Sequence, residues 1–457
     1  MVLMGGSPVR LLRLSGRAAG LLRAWEHGAT VGPRRGEQLL ARRLVSSGQY
    51  VPLPPPGGPS PADVTVVIPV RDRPADLERL LRALEGLRCV VVDDGSDDAA
   101  TTEGIASRAG AAFVALSPNQ GPAAARNAGI AVASTALVAF VDSDCAPGPD
   151  WLATLLPHFA DPLVAAVAPR IAPAPQAAGG VFARFGAVHS SLDRGPAAGL
   201  VRPMSRIPYV PSATLVVRRA VTGRRFFDPR LRGGEDVDVV WRLCEAGWDV
   251  RYDPSCVVEH HGPASLSEHL RRRRFYGSTA GPLARRHPMS MAPLHTSAWT
   301  AVAWVCVARR RPVGAAAALG ASAAVLAHRL RGLTDDPARV AARLVAGGSL
   351  RAAVPSLGGL VRAWAPAVVA GLALRRTRRL CALALLVPAL RDWAAERPDL
   401  DPLRYSALHA LDDTAYGSGL WVGCGRARTI RPLVPRVVLH SRVWSAAALR
   451  PRRPDEV

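Results

Sequence analysis

Hydrophobic positions recur with two alternating periods between Thr65 and about Pro169. Short apolar runs bounded by turn residues predict buried strands, and apolar residues spaced three or four apart between them predict amphipathic helices. The predicted elements, in chain order, are strand 65–69, helix 74–85, strand 89–93, helix 98–109, strand 112–116, helix 121–133 and strand 136–141. Strands and helices that alternate in this way are typical of a parallel sheet covered on both faces. The pattern predicts an α/β fold with a mixed, mainly parallel sheet.

The hydrophobic pattern changes on either side of this region. Residues 1–53 predict two short strands and two helices, an α+β module similar in outline to small winged-helix-like peptide-recognition domains. Residues 54–62, rich in Pro and Gly, predict a stiff linker. After Pro169 the alternation loosens, and it then returns as a strand, an acidic loop with a helix, and another strand at 213–217, 233–246 and 248–252. We assign residues 63–290 to one central domain.

Residues 291–457 predict an Ala- and Arg-rich helical region. Its apolar stretches, separated by arginine clusters, lie at 297–308, 312–327, 363–374 and 380–390. None reaches the roughly 20 residues that a helix needs to cross a bilayer. Helices of this kind either pack on a protein core or lie in the headgroup region, where arginines are attracted to anionic lipid. We predict peripheral attachment to the inner face of the cell membrane, and a mixture of coil, helix and tail over 391–457.

Carboxylates directly follow two of the predicted strands. The motif V-V-D-D-G-S ends the strand before Asp94, and F-V-D-S-D delivers Asp142 and Asp144. Ligands bind at this carboxyl edge in open parallel sheets. Asp93 or Asp94 can accept hydrogen bonds from a uracil-like base, Asp144 can hold Mg²⁺ or Mn²⁺ against a diphosphate, and Asp142 can reach a ribose hydroxyl. The alternative for the first motif is a serine-capped turn with solvent-facing acids. Together the acids favour a nucleotide and a divalent metal.

Two further motifs carry candidate chemistry. In N-Q-G-P-A-A-A-R-N-A-G, Arg126 and Asn127 can face a diphosphate or brace the acids, whereas tight helix packing explains the alanines equally well. In G-G-E-D, Glu235 and Asp236 occupy a helix start, where the helix dipole favours anions. A carboxylate held there can act as general base on an acceptor hydroxyl. The alternative is an acidic turn with a structural role only.

Histidines and arginines follow these motifs. His260 and His261 come after an apolar pair and offer a third metal ligand, or else a surface histidine pair. Four consecutive arginines begin at Arg271, and either Arg271 or Arg274 can neutralise a leaving diphosphate. An exposed basic helix face is the alternative for this run.

Overall composition limits the range of partners. The formal net charge of +22 comes from arginine, because the chain contains no lysine. No zinc-finger or aromatic-basic RNA motif accompanies it, so we predict no nucleic-acid partner; an anionic membrane surface or a compositional bias explains the charge. The 7 cysteines are scattered without a C-x-x-C pair, which argues against a disulfide framework and structural zinc and favours a reducing cytoplasm. We expect no signal peptide.

The order of the motifs resembles the family-2 inverting glycosyltransferases of the glycosyltransferase-A fold. The resemblance covers about 64–280, through V-V-I-P, V-V-D-D-G-S, the Arg-Asn motif, V-D-S-D and E-D. The resemblance implies that Pro69 and Asp94 contact the nucleobase and that Asp142 contacts the ribose. It implies further that Asp144 holds the metal and diphosphate and that Asp236 is the general base. The run R-R-R-R-F at 271–275 is a degraded likeness of the processive family motif Q-x-x-R-W, with Arg271 at its first position, Arg274 at its fourth and Phe275 at its last.

Further motifs resemble one branch of this family, the glycosyltransferases of the mycofactocin system. They include H-F-A-D-P at 158–162, Y-V-P-S-A at 209–213 and Y-G-S-T-A at 276–280, although Arg194 stands where an apolar residue is expected. The resemblance implies Mn²⁺ or Mg²⁺ as cofactor and UDP-glucose as the sugar donor. The implied acceptor is premycofactocin, a peptide-derived redox cofactor, and the implied product is a short β-1,4-glucan. The precursor peptide of this cofactor, or the enzymes that synthesise the cofactor, are further implied partners.

Two alternatives to this function stay open at the level of the sequence. The apolar C-terminal helices favour a lipid or cell-wall glycan as acceptor. A protein that only binds nucleotide or scaffolds a peptide would be expected to have lost a motif acid, and none is missing.

Overall fold

The computed structural model describes residues 1–6, 9–175, 180–223, 225–263 and 265–438. The chain divides into two compact units. Tyr50–Leu266 form one, called here the sheet unit, and the described residues within Met1–Gln49 and Ser267–Arg450 form the other, called here the helical unit. Ser7 and Pro8 of the predicted first turn, and the predicted C-terminal tail, lie outside the described residues.

The N-terminal part of the helical unit contains two strands and two helices among its described residues. They are β1 (Val2–Gly5), β2 (Arg10–Arg13), α1 (Gly16–Glu26) and α2 (Arg35–Ser46), and the two strands pair antiparallel. The Ser15 side chain accepts a hydrogen bond from the amide of Ala18 and so caps α1. Leu12, Leu22 and Leu44 are buried, which gives this small segment an apolar centre.

The sheet unit contains the predicted alternation of strands and helices. In chain order its elements are β3 (Val64–Val70), α3 (Pro74–Ala83), β4 (Arg88–Asp93), α4 (Ala99–Arg108), β5 (Ala112–Ala115), α5 (Pro122–Val132), β6 (Leu137–Val141), β7 (Cys145–Pro147), α6 (Trp151–Leu155), β8 (Val164–Pro173), α7 (Val181–Val188), β9 (Gly199–Leu200), β10 (Thr214–Arg218), α8 (Glu235–Glu245) and β11 (Asp249–His260). The predicted strand and helix boundaries up to β6 agree with these bounds to within a few residues.

One mixed sheet organises this unit. Its strand order is β5-β4-β3-β6-β10-β8-β11-β7, and β9 pairs with β11. Strands β5, β4, β3 and β6 are parallel, and β10 runs antiparallel between β6 and β8. The carboxyl ends of β3, β4 and β6 therefore meet at one edge, which brings together the acidic motifs that follow β4 and β6. The α/β fold class with a mixed sheet is confirmed.

Helix α5 approaches the sheet closely because its inner face carries small residues. A Cβ atom on Gly129 would lie 2.2 Å from Cγ1 of Val67 in β3. Ala123 and Ala125 are buried on the same helix. Tight packing thus explains the small residues of this motif, and it sets the distance from the helix to the carboxyl edge.

The second half of the sheet differs from the sequence expectation. The hydrophobic pattern loosens after Pro169, yet β8 continues to Pro173 as the parallel partner of β11. Strand β11 was expected to end near residue 252 but extends to His260, with a register shift between Asp253 and Val257. This irregularity interrupts the apolar pattern without ending the strand, and the extension carries His260 to the region of Asp144.

The helical unit continues after the sheet unit. Its remaining elements, in chain order, are α9 (Leu266–Arg286), β12 (His295–Ser297), α10 (Ala298–Ala308), α11 (Pro312–Leu330), α12 (Pro337–Gly371), α13 (Arg378–Glu396), α14 (Pro402–Ala427) and β13 (Arg436–Val438). The apolar run predicted at 363–374 is only the end of α12, which begins much earlier and is kinked at Trp364. The region 391–457, expected to be mixed, contains the long helix α14. Alanine-rich sequence continues a helix through isolated charges, so the apolar runs alone underestimated helix length.

Among the described residues of this unit, two helices have the length and apolar character of membrane spans. These are α11 and α12, whose most apolar windows are 17% and 6% buried within the protein. The expectation that no helix is long enough to span is corrected, because the helices extend beyond their uncharged cores.

Helices α9 and α14 cross with their backbones in contact. A Cβ atom on Gly281 would lie 2.1 Å from the carbonyl oxygen of Gly423, and one on Gly277 would lie 2.0 Å from that of Tyr416. Beside this contact, the buried carboxylate of Asp412 lies 2.6 Å from Nε of Arg273. Small residues allow the close approach, and the ion pair fixes which residues of the two helices face each other.

Candidate active site

The loop after β4 is built around the carboxylate of Asp94. This side chain is 5% exposed and accepts hydrogen bonds from the amides of Gln120 (2.7 Å) and Gly121 (2.8 Å) and from the side chain of Asn119 (2.8 Å). Gly95 has a positive φ of 72°, and a Cβ atom there would lie 2.8 Å from the Asn119 amide. Asp94 therefore joins two loops at the carboxyl edge. Its predicted contact with a nucleobase stays a prediction, and a base would have to share oxygens that the chain already uses.

Arg126 is the central cation of the site. Helix α5 places its guanidinium 2.7 Å from Oδ1 of Asp142 and 2.8 Å from Oε1 of Glu235, and the side chain is 4% exposed. Burial alone would lower the pKa of Arg126, but the carboxylates of Asp142 and Glu235 outweigh it and the pKa is raised. The guanidinium also lies over the Phe227 ring, 5.5 Å from its centroid. Arg126 thus braces two acids that are far apart in sequence.

Asn127 and Pro69 are both half-buried. The Asn127 amide donates to the Phe227 carbonyl at 2.7 Å and accepts from the Phe227 amide at 3.0 Å. It therefore holds the chain before the G-G-E-D motif. Pro69 is a half-buried residue of β3, in register with Val92 of β4. Their roles toward a nucleotide sugar stay predictions.

Asp144 lies between a guanidinium and an imidazole. Its Oδ2 is 2.9 Å from Nη1 of Arg73, and its Oδ1 is 3.5 Å from Nε2 of His260. The His261 amide donates to the Asp144 carbonyl at 2.9 Å, so the end of β11 is tied to the loop after β6. The sequence offered His260 as one of two readings, and the structure brings it to Asp144.

The residues around Asp144 fit a divalent cation that shares its coordination with a ligand. Carboxylate oxygen suits Mg²⁺ or Mn²⁺, and an imidazole nitrogen is a ligand that Mn²⁺ accepts. Among the residues that the structure describes, no three His, Cys, Asp or Glu side chains form a group that could hold a metal alone. Asp144 and His260 could therefore form part of a ligand set, of the kind that a substrate diphosphate and water complete.

Glu235 and Asp236 begin helix α8. Gly234 precedes them with a left-handed backbone, φ 76°, which lets the chain turn sharply into the helix. Glu235 is held by Arg126, whereas the Asp236 carboxylate accepts hydrogen bonds from two backbone amides, that of Val237 at 2.7 Å and that of Ser212. Burial, and next the Glu235 charge, raise the pKa of Asp236 from 3.8 to about 7. A carboxyl group of this kind exchanges protons near neutral pH, which suits general base chemistry.

Arg271 and Arg274 lie on α9, in the helical unit, and their side chains are exposed. Their predicted contact with a diphosphate stays a prediction. Sequence reasoning did not select Arg73, which lies in the R-D-R-P turn between β3 and α3. Arg73 could have been found from its position, because it follows the carboxyl end of the central strand β3. Arg194, the departure noted above, stacks on the Tyr209 ring at 4.5 Å.

Comparison with known proteins identifies the class and then the family. Residues 65–181 match the family described as Glycosyl transferase family 2, and residues 137–394 match Glycosyl transferase family group 2. These matches define an α/β glycosyltransferase. The chain belongs to the family-2 glycosyltransferases.

Relatives extend the comparison over most of the chain. The chain is 40% identical, over 449 residues, to the Pre-mycofactocin glycosyltransferase of two strains of Mycobacterium tuberculosis, covering 95% of this chain and 94% of that protein. Among solved structures it is similar to the mannosyltransferase PcManGT of Pyrobaculum calidifontis in complex with GDP-Man and Mn²⁺, with 20% identity, TM-score 0.40, and coverage of 74% of this chain and 97% of that one. GalNAc-T7 with UDP, GalNAc and Mn²⁺ matches with 17% identity, TM-score 0.35, and coverage of 48% and 51%.

Proposed function

We propose that this chain transfers a hexose, glucose from UDP-glucose, to premycofactocin with inversion at the anomeric carbon. The proposed acceptor is supported by the 40% identity, over 95% of the chain, to the Pre-mycofactocin glycosyltransferase. The observation that supports the chemistry is the meeting of Asp142, Asp144, Glu235 and Asp236 around Arg126 and Arg73 in the sheet unit. Repeated transfer would build a short β-1,4-glucan.

On the donor side, Asp144 and His260 would hold Mn²⁺ or Mg²⁺, which when bound neutralises charge on the leaving diphosphate. Oδ1 of Asp142 accepts a hydrogen bond from Arg126, and its other oxygen would accept one from a ribose hydroxyl. Arg126 remains charged at any working pH and fixes the Asp142 carboxylate in one orientation. The orientation of the donor therefore depends on residues that are rigid before it binds.

On the acceptor side, Asp236 removes the proton from the attacking hydroxyl. Its pKa of about 7 means that the carboxylate is present at neutral pH and is still basic enough to accept a proton. The hydroxyl oxygen then forms a bond to the anomeric carbon as the bond to the diphosphate breaks. A single displacement of this kind converts an α-linked donor into a β-linked product, and no covalent enzyme intermediate is needed.

Two features outside the sheet unit bear on the acceptor and on location. We propose that the N-terminal module, residues 1–53, serves peptide recognition, either of the precursor peptide or of a biosynthetic partner.

We also propose peripheral attachment of the helical unit to an anionic membrane. In support, Val307, Val313 and Leu380 are highly exposed apolar residues next to arginine clusters. Release of a sizeable share of the protein by high salt or carbonate would support attachment. A wholly soluble protein at low salt would refute it, and resistance to both washes would indicate spanning helices.

Acceptor identity is the decisive experiment. Purified protein is incubated with UDP-glucose and Mn²⁺, and with either premycofactocin or a polyprenyl phosphate, and products are identified by mass spectrometry. We expect hexose added to premycofactocin, and no product with the Asp236→Asn variant. The exposed apolar helices favour a lipid as second candidate. Transfer to the polyprenyl phosphate alone would replace the proposed acceptor, and transfer to neither would refute the proposed function.

A further inference from the structure

The guanidinium of Arg73 contacts two carboxylates that belong to different parts of the sheet unit. Its Nη1 lies 2.9 Å from Oδ2 of Asp144 and 3.3 Å from Oδ2 of Asp76. Asp144 follows β6, whereas Asp76 lies in the first turn of α3. Arg73 is only partly buried, with 36% of its side chain exposed, so it has room to move between the two acids.

A divalent cation and Arg73 compete for the same carboxylate. One oxygen of Asp144 is taken by Arg73 and the other faces His260. A cation bound to this carboxylate would lie within a few ångströms of the guanidinium, where the repulsion between like charges is strong in a partly buried site. In the observed geometry the guanidinium occupies Oδ2 of Asp144, so a cation bound to the same carboxylate would lie beside a like charge.

Asp76 provides a second position for the displaced guanidinium. Its Oδ2 already contacts Arg73, and its Oδ1 is held by Nη2 of Arg79 at 2.6 Å. The helix dipole favours a carboxylate in the first turn of α3, and Arg79 holds the Asp76 side chain in place. A rotation of the Arg73 side chain away from Asp144 would therefore keep one ion pair.

We propose that Arg73 is a built-in counter-ion of Asp144 that weakens the binding of free metal and yields when metal arrives with a nucleoside diphosphate. The inference rests on the proposed role of Asp144 as metal ligand. The negative charge of the diphosphate offsets the repulsion between the metal and Arg73, and it offers the guanidinium a new partner. Metal and nucleotide then bind with positive coupling, because Arg73 exchanges its contact with Asp144 for one with the diphosphate.

Manganese binding measures this competition without any sugar transfer. Free Mn²⁺ is followed by electron paramagnetic resonance during titration of the full-length protein, with and without UDP. We expect Arg73→Gln to lower the Kd for Mn²⁺ about tenfold in the absence of UDP, and to change it less in its presence, because one repelling charge is removed. Arg79→Gln is the matched control, since Arg79 shares Asp76 but does not contact Asp144. It should leave the Kd within about twofold of the wild-type value.

The outcomes separate this inference from the proposed function. If Asp144→Asn abolishes Mn²⁺ binding but Arg73→Gln leaves the Kd unchanged or raises it, the counter-ion role of Arg73 is wrong and Asp144 remains the metal ligand. If Asp144→Asn retains Mn²⁺, or the wild-type protein binds none even with UDP, the metal role of Asp144 and the role of Arg73 are both wrong. An equal gain in affinity in Arg79→Gln would also overturn the inference, because it would show a general effect of net charge.

Discussion

Because of the carboxyl group of Asp236, a rise in pH towards 7 and above should increase the rate of sugar transfer and decrease the stability of the fold. Burial and the adjacent Glu235 raise its pKa from 3.8 to about 7. If its carboxylate is the general base, kcat/KM should fall about tenfold for each pH unit below 7, because only the deprotonated form can accept a proton. Asp236→Asn should reduce kcat by a factor of about 100 to 10,000 and leave UDP binding nearly intact.

The same shift in pKa predicts a stability effect of opposite sign. A raised pKa means that folding favours the protonated form, so this stabilisation is complete below the unfolded pKa of 3.8 and is lost as the pH rises through about 7. A shift of about three units corresponds to at most about 4 kcal/mol at pH 8, since each unit is about 1.4 kcal/mol. Because Asp236 is partly exposed, we expect about 2 kcal/mol in practice. Asn carries no charge, so Asp236→Asn should be more stable than the wild-type protein at pH 8.

Urea unfolding at pH 5 and pH 8 measures this difference, alongside a pH profile of sugar transfer. Glu103→Gln is a suitable control, because Glu103 is an exposed helical carboxylate in α4. We expect the gain in the free energy of unfolding of Asp236→Asn at pH 8 to shrink at pH 5, and the control to show no such change. An Asp236→Asn variant that is equally stable or less stable at pH 8, or a flat rate profile between pH 5 and 8, would refute the reasoning.

Three further predictions follow from distances in the sheet unit. Asp144→Asn should lower transfer by orders of magnitude while thermal unfolding stays near the wild-type temperature, and activity undiminished by EDTA would contradict the metal role. Arg126→Lys should reduce kcat and destabilise the fold by about 3 kcal/mol, because one ammonium cannot hold two carboxylates as a guanidinium does; wild-type values in both assays would contradict this. Gly129→Ala should cost about 1 to 3 kcal/mol in urea unfolding, because its Cβ would lie 2.2 Å from Val67. Gly104→Ala on α4, whose Cβ would make only an ordinary contact with the Arg108 side chain at 3.5 Å, should be neutral or stabilising.

The parallel half of the sheet and the acidic motifs could be predicted from sequence because local periodicity determines both. A buried strand such as β6 reads as an uninterrupted apolar run, and the residues after it, Asp142 and Asp144, must lie at the carboxyl edge. The polarity of a βαβ connection then places the Asp94 turn at the same edge. These inferences need only neighbours in sequence and the rule that parallel strands end together.

The remaining parts of the site depend on contacts between distant residues, which periodicity does not contain. The ion pair of Arg126 with Glu235 joins residues 109 positions apart, and that of Arg73 with Asp144 joins residues 71 apart. The extension of β11 to His260 was missed because an irregularity after Asp253 breaks the apolar pattern while the backbone ladder continues. Pairing across a sheet is fixed by tertiary structure, so a single sequence gives little sign of it.

The choice of arginine at position 126 has a physical reason that connects the two sides of the site. One guanidinium holds Asp142, on the proposed donor side, and Glu235, next to the proposed base. Its planar fork has donors in fixed directions, so both carboxylates are oriented with little loss of side-chain entropy. Its buried charge also offsets the repulsion between Glu235 and Asp236, since the Arg126 charge lowers the pKa that burial and Glu235 raise. Without this balance the pKa of Asp236 would be higher, and less of the proposed base would be ionised at neutral pH.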